Sequence, residues 1–83
     1  MALANPEQNK VLANRLKELC EEKEMTYAQL AQKSGIPVRK IQRMAYGMVT
    51  DPGIFIMMRI CKALDVTLDE FVANEEFGKM IED

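Results

Sequence analysis

The sequence has no histidine and no tryptophan, and only two cysteines among its 83 residues. Without histidine it lacks both the commonest general base and the commonest metal ligand. Cys20 and Cys61 stand far apart, so they make neither a CxxC dithiol nor half of a zinc site, and no metal or cofactor is expected. Each lies among apolar neighbours on a predicted helix and reads as a small buried core residue. There is no GxSxG, P-loop or GxGxxG, so no enzyme chemistry is suggested. No apolar run approaches the roughly 20 residues a bilayer span needs, and the start, MALANPEQ, has neither a basic leader nor an apolar stretch. A cytoplasmic chain without a membrane partner is the expectation. Period-two alternation is also missing, which leaves an all-α chain.

What is present suits one small globular domain: 48% apolar and 29% charged residues in a length that allows a single core. We divide it into an N-terminal arm (1–9), a folded domain (10–72) and an acidic amphipathic tail or helix extension (73–83). The net charge of -2 conceals a segregation. Residues 1–32 carry -1, residues 33–62 hold six basic groups against one acidic, and residues 63–83 hold one against seven. A local positive field survives such an acidic total over about one Debye length.

Leu12, Leu16, Leu19 and Cys20 mark one stripe of a first helix from about Gln8 to Lys23. Thr26 with Gln29 forms a capping box for a second helix that buries Leu30 and Ala31 and stops at Gly35. A third begins near Val38 behind Pro37, buries Ile41 and Met44 and ends at Gly47. Asp51 as N-cap with Pro52 at the first position predicts a fourth, burying Ile54, Met57, Ile60, Cys61 and Leu64. Thr67 with Glu70 repeats the capping box for a fifth from Leu68, with Val66 and Phe71 at the spacing of a hydrophobic staple. Beyond it, Phe77, Met80 and Ile81 share one face of an extension or fraying tail.

Two short helices joined by a tight turn at Gly35 fit a helix-turn-helix, whose second member enters the major groove. Here LKELCEEKEMTYAQLAQKSGIPVRKIQRMAYG and DPGIFIMMRICKALDVTLDEF resemble, in one continuous register, the Cro/phage-repressor-like helix-turn-helix family, also called the XRE family. The resemblance implies a five-helix, lambda-repressor-like DNA-binding domain with helices two and three as the helix-turn-helix. It places base reading on Val38, Arg39, Gln42 and Arg43, whose chemistry suits guanine (arginine), adenine (glutamine) and a thymine methyl (valine). Lys40 turns to the backbone or groove wall. Thr26 and Tyr27 at the start of helix two, with Tyr46, are backbone candidates, and Lys10 and Arg15 are weaker ones; Tyr27 equally suits packing over its helix.

The sequence also departs from the family pattern. Where many relatives pair an arginine and a glutamate beneath the domain, this chain has Cys20 and Ala45, a double replacement that avoids a lone buried charge. Pro37 stands where a serine cap is usual. The loop MVTD after helix three offers a carboxylate and no cation, which lowers the expected affinity for phosphates.

Helix four has more apolar residues than one stripe needs. Phe55, Ile56 and Met58 form a candidate dimer or partner surface, unless the tail folds back over it. The expected function is a dimeric, sequence-specific regulator of transcription, a probable repressor, without a small-molecule effector. The alternative is a protein-binding module of the same fold, an antitoxin or regulator antagonist working through helices four and five.

Overall fold

The computed structural model describes residues 6–49 and 51–77, all helix or connection. In order come α1 (Pro6–Glu22), α2 (Tyr27–Ser34), α3 (Val38–Ala45), α4 (Ile54–Leu64) and α5 (Leu68–Val72). Helical backbone resumes at 75–77, where the description ends. α1 therefore starts inside the expected arm, two residues before Gln8.

Local chemistry explains these boundaries. At the start of α2 the Gln29 N–H donates to the Thr26 hydroxyl at 3.0 Å, and the Thr26 N–H donates to the Gln29 side-chain oxygen at 2.9 Å. Gly35 ends the helix at φ +73°, a left-handed conformation that costs glycine nothing, and its N–H closes on the Ala31 carbonyl at 2.9 Å. The three-residue turn then points α3 across α2. Thr67 and Glu70 make the same box for α5 at 2.8 and 3.0 Å.

Every helix contributes to one core. Leu16, Leu30, Ile41, Met44, Ile60, Leu64 and Phe71 are fully buried. Burying each such side chain contributes about 1.5–3 kcal/mol, so this short list supplies much of the domain's cohesion. The α1 stripe is buried as the pattern predicts, and Val11 and Ala13 join it. Cys20 and Ala45, in place of a charged pair, lie buried within the same core. Burial pushes both the Cys20 and Cys61 thiols up from their ordinary pKa.

Three expectations for the second half are corrected. α4 is not capped by Asp51 with Pro52 at its first position: Gly53 is the cap, at φ +90°, and Ile54 begins the helix. The Asp51 carboxylate instead accepts the Gly53 N–H at 3.0 Å, an Asx turn that ends just before the helix starts. Ile54 keeps the phase of the buried stripe but lies past the edge of the core, 53% exposed. Ile56, expected on the outer surface, is half-buried and packs against the core, because one helical turn separates it from the buried Ile60. As for the tail, the Phe77 ring packs on Phe71 with centroids 6.1 Å apart, so its described part covers α5 and not Phe55. Met80 and Ile81 lie outside the described residues.

Arg15, one of the weaker backbone candidates, has a structural task. Its guanidinium donates to the carbonyls of Phe71 and Glu70, both at 2.6 Å, and pairs with Glu18. Those carbonyls lie in the last turn of α5, where the Glu70 carbonyl has only a long bond from the Ala73 N–H at 3.4 Å, so a planar cation from α1 ties α5 to α1. Arg15→Ala is expected to cost about 2 kcal/mol, read as a lower urea midpoint with unchanged slope, and Arg15→Lys to recover only part.

The Thr67 amide, and then the Thr67 hydroxyl, hold the exposed Glu70 carboxyl below its ordinary pKa. A depressed folded-state pKa contributes stability that is complete above the unfolded value and lost as pH falls through the folded one. Glu70→Gln keeps a neutral version of the box, as Gln29 does in α2. Melting temperatures should favour the wild type at neutral pH and converge with Glu70→Gln once the pH has fallen below the ordinary glutamate range and the carboxyl is protonated in the folded state.

Candidate nucleic-acid interface

Burial sets the orientation of α3. Ile41, Met44 and Ala45 are completely buried, so the opposite side of an eight-residue helix must face outward. Arg39 and Arg43 are exposed, Lys40 and Gln42 half-buried, and Val38 38% exposed. The proposed reading positions thus share one outward side, which runs from Val38 at the start of the helix to Arg43 in its last turn. No side chain caps this end: Pro37 supplies only its carbonyl, which accepts from Lys40 and Ile41 at 3.0 and 3.3 Å.

Arg39, Lys40 and Arg43 line a concavity of about 410 Å³ with Pro37, Val49, Asp51 and Pro52. Three cations therefore meet the loop after α3 across an open hollow. Val49 and Asp51 belong to the loop whose missing cations the sequence already showed, whereas no spacing rule marks Pro37 and Pro52 as neighbours of the three cations. Asp51 carries the hollow's single carboxylate, held by the Gly53 amide.

Thr26 sits at the N-terminus of α2 with its hydroxyl oxygen occupied by the Gln29 amide, leaving the hydroxyl proton to donate outward. The helix geometry leaves the amides of Tyr27 and Ala28 outside the ladder. Tyr27 is half-buried and packs against the core, which suits one of the two roles open to it without testing the other, while Tyr46 is 66% exposed. Burial, then the neighbouring Cys20, Tyr46 and Glu21, push the Tyr27 phenol up from its ordinary pKa, so it stays a neutral donor.

A basic, outward-facing second helix in a right-register helical pair defines the helix-turn-helix class. Within it, residues 15–75 match the Cro/C1-type HTH DNA-binding domain family, and the chain belongs to that family. Comparison with curated proteins and with solved structures gives no further match. Membership makes the chain a DNA-binding regulator in general terms, in a family that is typically not enzymatic. Among the described residues, no helix is long and apolar enough to cross a membrane.

Tyr27 gives a sharp test of its two roles. Tyr27→Phe removes the hydroxyl and keeps the ring, so thermal stability should hold while affinity for duplex DNA falls about fivefold. Unchanged affinity would leave the residue with packing alone.

Proposed function

We propose that this chain is a sequence-specific regulator of transcription that lays α3 in the major groove of duplex DNA and represses by occluding polymerase. The supporting observation is the outward side of α3, where Arg39 and Arg43 are exposed with no carboxylate of a described residue paired to them. Arg39 and Arg43 read guanine, Gln42 reads adenine and Val38 packs on a thymine methyl, each good pair discriminating by about 1–3 kcal/mol. Lys40, Thr26, Tyr27 and Tyr46 meet the phosphate backbone. A homodimer places two α3 helices about one DNA turn apart on a roughly palindromic operator.

The second reading, a protein-binding module of the same fold, draws on Phe55. At 75% exposed it is far more open than a core-facing aromatic, and Met58 is exposed beside it on α4. The carboxylate of Asp51 in the α3 hollow also weakens attraction to phosphates.

Titration of labelled duplex DNA at several salt concentrations separates the two readings. The regulator predicts binding that weakens linearly on a log–log salt scale. Arg39→Ala or Arg43→Ala should lower affinity for a selected operator about ten- to hundredfold, with a smaller loss on random duplex. Absence of binding at low salt would transfer the function to the α4 surface.

A further inference from the structure

The outer side of α4 is divided along its length. Phe55 and Met58 are exposed on its first half, and Arg59 and Lys62 continue the same stripe at i+4 and i+7 from Phe55. Arg59 and Lys62 border a second concavity, about 630 Å³, with Lys33 from α2. Asp65 also lines this concavity, yet none of these three cations has a described carboxylate within ion-pair distance. Lys33 and Lys62 lie in the last turns of their helices, where a cation complements the dipole. Arg59 lies outside that turn, and the dipole gives no reason for the aromatic and methionine beside it.

The same chain carries the complementary surface. Asp69 on α5 and Glu75 and Glu76 after it are exposed, and none has a described cation within ion-pair distance. Two unlike faces are thus left without partners inside one small domain.

We infer that two copies of this chain associate reciprocally through these unlike faces, the Phe55–Met58–Arg59–Lys62 stripe of each copy resting against Asp69, Glu75 and Glu76 of the other, as twofold symmetry requires. This rests on the dimer in the proposed function and specifies its contact. Pairing α4 with α4 would gather two Arg59 and two Lys62 side chains in one interface, and pairing acidic flank with acidic flank would gather six carboxylates. Like charges so placed oppose association, whereas the unlike pairing brings opposite potentials together and covers Phe55 with the cations alongside it. Apolar contact at Phe55 and Met58 provides the anchor, and the charges select orientation.

Sedimentation and light scattering of the full chain without DNA test this independently of groove reading, since α3 is untouched in every variant. The wild type should self-associate at low salt and dissociate as salt is raised. Arg59→Glu with Lys62→Glu should be monomeric, as should Asp69→Lys with Glu75→Lys and Glu76→Lys, each with wild-type helix content by circular dichroism. Mixing the two folded variants in equal amounts should restore association at low salt. A wild type that stays monomeric at millimolar concentration overturns the inference. So does a mixture that stays monomeric. An oligomer that ignores both charge reversals but breaks with Phe55→Glu points to like-face pairing and overturns it as well.

Discussion

The burial of Ile41, Met44 and Ala45 beneath α3 is the constraint from which the rest follows. An eight-residue helix has too little internal cooperativity to persist in water, so its position is set by what its buried side touches. Once those three residues are locked into the core, rotation about the helix axis is no longer free. Arg39 and Arg43 then project outward because nothing else on the helix can take the inner side. The presentation of the cations is a by-product of apolar packing.

That packing depends on distant parts of the chain. Phe71, from the last of the named helices, fills the same core as Leu16 and Ile41, and the carbonyls of Glu70 and Phe71 are held by Arg15 from the first. Closing the domain across most of its length makes α1 and α5 a frame that the helix-turn-helix leans on. α4 bridges the two halves: its inner stripe of Ile60, Cys61 and Leu64 is core, and its outer stripe is open to solvent. The molecule thus has one rigid interior and two chemically distinct exteriors.

Much of this could be read from the sequence, for identifiable reasons. Thr26 with Gln29, Thr67 with Glu70, and Gly35 are local signals, whose partners lie within a few residues, so pattern alone located α2, α5 and the turn. The spacing of Leu12, Leu16, Leu19 and Cys20 worked equally well for α1. What misled was chemistry with two local solutions. Asp51 followed by Pro52 fits an N-cap, but it also fits an Asx turn, and the left-handed Gly53 decides for the turn. Ile54 and Ile56 failed for another reason: phase tells which side a residue is on, but not where the core ends. The Arg15 tie joins residues 56 positions apart, and the hollow beside α3 sets the helix against residues of the connection that follows it; no periodicity reports such contacts.

The missing side-chain cap at Pro37 has a consequence for how the domain gains and loses activity. α2 opens on the Thr26–Gln29 box, whereas α3 has no capping side chain in front; only its rear is closed, by Gly47 at φ +76° with the Gly47 and Met48 N–H groups donating to the Met44 and Arg43 carbonyls. α3 therefore has little tendency to exist before the core assembles. Its backbone amides should exchange with solvent only when the whole domain opens, and the reading surface should form and vanish in a single cooperative event. Competence is then proportional to the folded fraction, so any core substitution that shifts the folding equilibrium changes occupancy of the target without touching a residue that meets it.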